Sequence, residues 1–218
     1  MDGIKIIKSK RKSIAIAVRP DGTIEVRAPR YIPGFMINAF IKSKSDWIKE
    51  RQAHVAKHFV APKKFENGEK FTYLGNEYSL KLGNYLDIQI KGDSLLFPLA
   101  LVFRGKESVE KWYIKQAKEI IKSHVDTFSK EMELPYKSIS FSDTKSKWGS
   151  CTHDNRLQFN WRLIMAPLIV VRYVIIHELV HTIHKNHSAS FWRKVSEVNP
   201  SYKQQIKWLK AHGDKLHI

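Results

Sequence analysis

Cysteine is nearly absent from this sequence, because Cys151 is its single cysteine in 218 residues. One cysteine excludes a disulfide framework within the chain, and it excludes a metal site built from several thiolates. A transition metal would therefore be bound mainly by histidine and carboxylate side chains. The ten histidines of the sequence are enough for such a site.

Long apolar runs are also missing. No stretch approaches the roughly 18 uninterrupted apolar residues that a membrane-spanning helix needs. The first residues, MDGIKIIKSKRKSIAIAV, lack the apolar core and small-residue cleavage site of a signal peptide. We therefore expect a soluble, cytoplasmic protein without a membrane-bound part, and the sequence leaves its oligomeric state open.

Acidic residues are scarce relative to basic ones. The chain has 21 aspartates and glutamates against 38 lysines and arginines, which gives a net charge of +17. Such a surplus attracts polyanions, and it predicts contact with nucleic acid or nucleotides through a basic surface. No helix-turn-helix, zinc-finger or RNA-recognition signature accompanies the charge, and an isolated charge run is more often solvated surface lysine than a specific site.

Strand patterns dominate the first hundred residues. Apolar residues alternate over residues 14–18 and 24–28 around a turn at 20–23, which predicts a hairpin. A helix is predicted over residues 34–57. Two more hairpins are predicted around Gly75-Asn76 and around residues 91–93. Residues 1–103 are therefore predicted to form a β-rich N-terminal subdomain with one helix.

Helical patterns dominate the rest of the chain. A long helix is predicted over residues 108–131, and the next predicted strands, residues 139–141 and 157–162, pair back on each other through a turn at 147–151. An apolar helix begins near Pro167, at a favoured first-turn position. Two short helices, separated at Asn199-Pro200, complete an α+β fold in which residues 104–218 form the catalytic domain.

The apolar helix carries the sequence His177-Glu178-Leu179-Val180-His181, the H-E-x-x-H pattern. A separation of four residues places His177 and His181 on one helix face, where both imidazoles can reach one metal ion at about 2.0–2.1 Å. Glu178 lies beside the first ligand and can contact a metal-bound water, which is the position of a general base.

A catalytic zinc site normally has three protein ligands and a water molecule, and His187 is predicted to be the third ligand. Asn186 is suited to end the helix in a left-handed conformation, so that the chain returns toward the metal. His184 is the main competitor, but helix geometry directs it away from the shared face. Ser188 or Ser190 is predicted to cap the next helix, with the aromatic residues that follow them, Phe191 and Trp192, packed under the site.

Structural explanations exist for the same residues. A short H-E-x-x-H pattern also occurs by chance, with His177 and His181 as core or capping histidines. The apolar helix and the nearby third histidine favour the metal site over chance. Cys151 has no activating partner close in sequence, which favours a partly buried structural thiol over a nucleophile.

These motifs, together with Lys147–Cys151, Leu157–Leu163 and the sequence HSASFW at 187–192, resemble the YgjP-like family of zinc metallopeptidases over nearly the whole chain. That family is related to SprT-like proteases and to the minimal gluzincins. The resemblance implies Zn2+ bound by the three histidines of the motif region, with Glu178 as the catalytic glutamate. It also implies a zincin-like α+β core whose edge strand, around Leu157–Trp161, binds an extended peptide by strand addition.

The combined prediction is a zinc metallopeptidase acting on a peptide or protein substrate. Zinc polarises the scissile carbonyl and its bound water, and Glu178 takes the proton of that water and passes it to the leaving amine. Tyr202, His153 and Arg162 are candidates to stabilise the oxyanion, although core packing, a loop position and a surface position explain them as well.

Two other functions stay open. A member of the family has been described as a UTP pyrophosphatase, and a metal that ionises water serves that reaction too. However, phosphoanhydride hydrolysis more often uses magnesium bound by oxygen ligands. The second alternative is a nucleic-acid-associated protein with structural zinc, but a closed structural site has no use for Glu178 beside its ligands.

Overall fold

The chain folds into two separately packed units, residues 1–61 and 62–218. The structure is a computed structural model, which describes residues 4–19, 21–58, 63–144 and 146–216. Each unit has its own apolar core. The mixture of strands and helices, with a β-rich N-terminal part, confirms the predicted α+β fold class.

The first unit is a three-stranded sheet with helices. Its elements are Ile4–Ser9 (β1), Ala15–Val18 (β2), Ile24–Pro29 (β3), Gly34–Ser43 (α1) and Ser45–His58 (α2). The predicted hairpin is confirmed as the antiparallel pair β2–β3, although Pro20 of its turn lies outside the described residues. β1 was not predicted and pairs parallel with β3. The predicted single helix is interrupted at Lys44, whose φ of −109° and ψ of 13° are not helical.

A four-stranded sheet begins the second unit. Its strands are Lys70–Tyr73 (β4), Asn76–Gly83 (β5), Gln89–Lys91 (β6) and Ser94–Pro98 (β7), in the order β4-β5-β7-β6. Both predicted hairpins are confirmed. Because Tyr73 pairs with Asn76, the first turn consists of Leu74 and Gly75, one residue earlier than predicted.

That turn anchors the segment that leads to the H-E-x-x-H helix. The N–H groups of Leu74 and Gly75 donate hydrogen bonds to the carbonyls of Ile164 and Met165. Gly75 has a φ of +81°, and a Cβ there would lie 2.8 Å from Pro167. Glycine is required at this position both by the left-handed backbone and by the close approach.

The four-stranded sheet shares its core with the helices that follow. Leu80 and Phe97 of the sheet are buried in one cluster with Val109 and Tyr113 of the long helix Gly105–Glu131 (α3). The division between compact units lies between residues 61 and 62. The boundary predicted at 103/104, as the start of the catalytic domain, stays a prediction.

The second sheet of this unit has three strands and lies beside the helix that carries the H-E-x-x-H pattern. Its strands are Ser138–Ser142 (β8), Gly149–Cys151 (β9) and Arg156–Asn160 (β10), in the order β8-β10-β9. β10 pairs parallel with β8 and antiparallel with β9. The prediction that residues 157–161 form an edge strand is therefore wrong, because β10 is hydrogen-bonded on both sides. The edge strands are β8 and β9, and β9 is the one that lies against the helix Leu168–Val180. β9 falls in a segment predicted as a turn, because three residues are too few to show alternation.

Helices form the rest of the chain. They are a 3₁₀ helix at Trp161–Met165, then Leu168–Val180 (α4), Ala189–Val198 (α5) and Tyr202–His212 (α6). The predicted separation of the last two helices at Asn199-Pro200 is confirmed. Within the part of the chain that the structure describes, no helix has the length and apolar character to cross a membrane.

Candidate metal centre

The two histidines of the motif lie at the C-terminal end of α4. This helix is apolar on nearly all sides and is packed in the core, and its buried residues include Val174, Ile175 and Leu179. A helix that is hydrophobic all round is a buried helix, which agrees with the expectation from the sequence. The spacing of four residues brings the rings of His177 and His181 to 4.9 Å between their centroids.

The helix ends earlier than predicted. Its last residue is Val180, and Asn186 is not among the described residues that have a positive φ. Thr182 explains the early end, because both its N–H, at 2.9 Å, and its side-chain hydroxyl, at 2.7 Å, donate to the carbonyl of Leu179. Such 3₁₀-type bonds tighten the last turn of a helix. The predicted left-handed cap at Asn186 is therefore wrong, although the chain still returns to the site.

Three histidines converge on one point. The Nε2 atom of His187 lies 3.1 Å from Nε2 of His177 and 3.2 Å from Nε2 of His181. Tetrahedral zinc with Zn–N bonds of 2.0–2.1 Å sets its ligand nitrogens about 3.3 Å apart. The observed separations fit such a site closely. His184 does not belong to this group of donor atoms among the described residues.

Hydrogen bonds to the outer ring nitrogens orient two of the three imidazoles. Nδ1 of His181 lies 2.8 Å from the backbone carbonyl of His184, to which it can only donate. The lone pair of that ring therefore lies on Nε2, where the three histidines meet. Nδ1 of His177 lies 3.4 Å from the Tyr173 hydroxyl. Partners of this kind fix the tautomer and orientation of metal-binding histidines.

Aromatic rings pack against the three histidines, as predicted. The ring of Phe191 lies between 4.5 and 4.9 Å from the rings of all three histidines. Trp192 stacks on His187 at 5.5 Å with an interplanar angle of 21°. Ser188 occupies the N-cap position of α5, but its hydroxyl bonds to Ser190 and does not cap the backbone.

Burial favours the neutral form of His177 and His181, the two histidines of the motif. Desolvation, followed by the neighbouring imidazoles, lowers the pKa of His177 to about 3. Desolvation also lowers the pKa of His181. Neutral imidazole is the form that binds a metal, because a protonated ring has no lone pair to donate. At neutral pH these two rings therefore have lone pairs available for a metal cation.

Glu178 lies beside the histidines and is buried, with 5% of its surface exposed. Desolvation raises the pKa of its carboxyl group to about 8, and Lys147 opposes that shift. The carboxyl packs against Gly149 of β9, where an added Cβ would lie 2.6 Å from Oε1 of Glu178. Gly149 therefore allows the edge strand and the glutamate to approach each other.

A cavity of about 180 Å³ opens at this place. Its lining joins the edge strand, α4 and α6, and consists of Trp148, Gly149, Tyr173, Val174, His177, Glu178 and Leu209. Sequence reasoning missed the roles of Gly149, Tyr173 and Leu209. Tyr173 was detectable in principle, because it precedes His177 by one helical turn and shares its face.

The three candidates for stabilising the oxyanion have structural roles. Tyr202 stacks on Trp192 at 5.1 Å. Arg162 forms an ion pair with Asp143 and covers the ring of Trp161 at 4.3 Å. His153 is exposed in the turn between β9 and β10. The positions of Tyr202 and His153 agree with the structural explanations given above. The surface position predicted for Arg162 is wrong, because its side chain is only 16% exposed.

Cys151 also has a structural explanation. Its thiol lies 3.8 Å from Nζ of Lys185, which bonds more closely to the carbonyl of Thr152 and to Asn155. Burial raises the pKa of the Cys151 thiol. A raised pKa disfavours the thiolate that a nucleophile requires.

A buried helix bearing H-E-x-x-H, with a third histidine and an adjacent edge strand, is the arrangement of a metal-dependent hydrolase. The family model described as "YgjP-like, metallopeptidase domain" matches residues 12–212. The chain therefore belongs to the YgjP-like metallopeptidase family, as the motifs predicted.

Two solved structures are also similar to parts of the chain. The metallopeptidase zymogen abylysin of Pyrococcus abyssi is 17% identical with a TM-score of 0.39, and the match covers 42% of this chain and 93% of that one. The zymogen jannalysin of Methanocaldococcus jannaschii is 20% identical with a TM-score of 0.37, covering 42% and 95%. No curated protein matches the chain.

Proposed function

We propose that the protein is a zinc-dependent peptidase that hydrolyses peptide bonds in polypeptide substrates. One observation carries this proposal: three histidine nitrogens converge beside a buried glutamate that lies against an edge strand. His177, His181 and His187 would hold the ion. Three neutral imidazoles are a donor set that zinc accepts readily, with a fourth position left for water.

The glutamate performs the proton transfers in this proposal. A zinc ion held by the three histidines would act as a Lewis acid and would lower the pKa of a bound water to about 7. The positive charge of a bound zinc ion would favour the ionised carboxylate of Glu178. This carboxylate takes a proton from the attacking water and then gives it to the leaving nitrogen. Because Glu178 is adjacent to His177 in sequence but absent from the group of donor atoms, it is available for this role.

The edge strand provides a binding surface for the substrate. β9 is paired with β10 on one side, and its residue Gly149 contacts the Glu178 side chain. An extended peptide that pairs with the other side of β9 would place its backbone beside the glutamate. β9 therefore takes the role that the sequence had suggested for residues 157–161.

The cavity beside Glu178 favours a peptide over a nucleotide. Among the residues that the structure describes, its lining has aromatic and aliphatic side chains, one imidazole and one carboxyl group, and no lysine or arginine. An apolar side chain of a peptide fits such a lining. A triphosphate would need cationic partners, because buried charges are unfavourable unless they are paired.

The substrate class can be tested by comparing two reactions. We expect the zinc-loaded protein to generate new termini in an unfolded polypeptide, detected by mass spectrometry, and to release no pyrophosphate from UTP. The metal-free protein serves as the control for both reactions. Release of pyrophosphate without peptide cleavage, lost in the Glu178→Gln variant, would replace the peptidase proposal with the nucleotide hydrolase.

The Gly149→Ala substitution tests the contact between the edge strand and the glutamate. Its methyl group would lie 2.6 Å from Oε1 of Glu178, so the carboxyl must move. Misplacement of a catalytic group by about 1 Å can cost 10²-fold in rate. We therefore expect kcat to fall by about 10- to 100-fold while the zinc content stays normal.

A matched control for this substitution is Gly34→Ala. Gly34 has no heavy atom within 4 Å of an added Cβ and no positive φ, so the same chemical change should leave kcat unaltered. Activity of Gly149→Ala within about twofold of the wild type would show that Glu178 does not depend on this contact.

A further inference from the structure

The N-terminal sheet brings two loops to one of its ends. β1 and β3 run parallel, with Ser9 opposite Pro29. The segments that follow these two strands therefore start at the same end of the sheet. β2 begins at this end as well, because Ala15 pairs with Arg27. Nζ of Lys8 donates to the carbonyl of Ile32 at 3.2 Å, which joins the two segments directly.

This end of the sheet is strongly basic. Its cationic residues are Lys8, Lys10, Arg11, Lys12 and Arg30. Neither residues 4–20 nor residues 26–45 contain an aspartate or a glutamate. Glu25 lies toward the opposite end of the sheet, beside Lys5, and pairs with Arg19 and Arg27. Among the residues that the structure describes, none of these five side chains forms an ion pair, and a surface of this charge attracts an anion.

The guanidinium of Arg11 adds an independent sign of a missing partner. Its Nε atom is buried but has no hydrogen-bond acceptor among the described residues. Buried polar atoms are nearly always hydrogen-bonded, so the unpaired Nε favours a turn of the guanidinium toward a ligand. A phosphate oxygen that the turned guanidinium meets would satisfy it with a charge-assisted hydrogen bond.

Aromatic side chains project into solvent at the same end. Tyr31 is 74% exposed in the segment after β3, and Phe35 is 73% exposed in the first turn of α1. That turn has no acidic residue and no side-chain cap, so its positive end stays open to an anion. Large aromatic rings at such exposure are suited to stacking on an unpaired base.

We propose that this basic end of the N-terminal sheet binds single-stranded nucleic acid. The lysines and arginines of the end contact phosphates, and Tyr31 and Phe35 stack on successive bases. A positive surface with exposed aromatic rings is the usual combination in proteins that bind single strands without sequence preference. The proposal rests on the first unit alone and is independent of the metal centre.

Single strands fit this surface better than two other polyanions. A duplex hides the faces of its bases, so the exposed rings would find no stacking partner. Peripheral binding to a membrane uses a helix with a continuous apolar face. In α1 that face is already used, because Ile37 and Ile41 are buried in the core of the unit.

Fluorescence anisotropy of a labelled single-stranded oligonucleotide, titrated with the zinc-loaded full-length protein, tests the proposal. Each stacked ring is expected to contribute about 5- to 150-fold in affinity. The double variant Tyr31→Ala/Phe35→Ala should lose the contributions of both rings. Trp47→Ala is the matched control, because Trp47 is 46% exposed on α2, away from this end in sequence. We expect that variant to bind as tightly as the wild type.

The charges are tested by the salt dependence of binding. Removing two phosphate contacts with Lys10→Gln/Lys12→Gln should reduce the slope of log K against log salt by about 1.4, since each contact contributes about 0.7 for single strands. Lys42→Gln/Lys49→Gln removes the same charge from α1 and α2 and should leave the slope nearer to that of the wild type. Circular dichroism checks that every variant is folded.

Several outcomes would overturn the proposal. They are the absence of binding at about 50 mM salt, equal loss of affinity in the test and control variants, or equally tight binding of duplex DNA. Tighter binding to anionic phospholipid vesicles, lost in the Tyr31→Ala/Phe35→Ala variant, would assign the surface to a membrane instead. Peptide hydrolysis should be unchanged in these variants, so a failure here leaves the peptidase proposal intact.

Discussion

The Glu178→Gln variant is expected to bind zinc normally and to lose between 10²- and 10⁴-fold in kcat, the contribution of a positioned general base. Glutamine has nearly the same shape as glutamate, so it fits the space against Gly149 that a larger group would not. It cannot accept a proton from water at neutral pH. The three histidine nitrogens that would bind the ion are left unchanged.

Metal content and initial rates of peptide cleavage measure this result. Glu197→Gln is the matched control, because Glu197 is an exposed glutamate on α5 that pairs with Lys194 at 3.3 Å. It should retain full activity. Zinc loss from Glu178→Gln as severe as that of a histidine variant would mean that the carboxyl is a ligand. Turnover within about tenfold of the wild type would exclude it as the general base.

The metal centre was predictable because its determinants are local. A separation of four residues sets His177 and His181 on one face of any α-helix. The apolar residues before them require a buried helix, and the structure has one. His187 could be proposed because only a short segment separates it from the helix. Neither the helix spacing nor the short segment before His187 depends on how distant segments pair.

The parts that could not be predicted depend on contacts between distant segments. The parallel pairing of β8 with β10 places β10 in the centre of its sheet and leaves β9 at the edge. No local pattern distinguishes this order from a simple hairpin. The role of Gly149 depends on the same pairing, since it is β9 that brings this glycine against Glu178.

The core of the second unit also depends on contacts between distant segments. Strand and helix patterns change near residue 103, which suggested a boundary there. The core does not change with them, because the turn at Leu74 and Gly75 bonds to the segment that precedes α4. Strands from before residue 103 thus help to position the helix that carries the histidines. Local composition predicts the type of secondary structure, but it does not predict which elements pack in the same core.

His187→Ala and His184→Ala are expected to differ sharply in zinc binding. The Nε2 atom of His187 lies within 3.2 Å of the corresponding atoms of both motif histidines, and a site with two histidines leaves zinc largely solvated. Changing the outer partners of metal ligands typically costs 10- to 100-fold in metal affinity. Removal of a ligand itself should therefore cost more than about 100-fold.

His184 contributes through its backbone, which alanine retains. Its carbonyl accepts the hydrogen bond from Nδ1 of His181, and its ring is not among the convergent donor atoms. His184→Ala should therefore keep both the orientation of His181 and nearly normal zinc affinity. The two variants form a matched pair, since each replaces one histidine of the same short segment.

Competition with a chelator, with folding checked by circular dichroism, distinguishes the two variants. Severe zinc loss in His187→Ala with retention in His184→Ala would support the assignment, and the reverse order would remove it. Equal retention in both would mean that another group completes the site. Glu197 would be the first carboxylate to test, although its pairing with Lys194 and its absence from the group of donor atoms make it a poor ligand. The geometry of the three imidazoles thus makes a prediction that the H-E-x-x-H pattern alone does not, because the pattern specifies two ligands and the fold supplies the third.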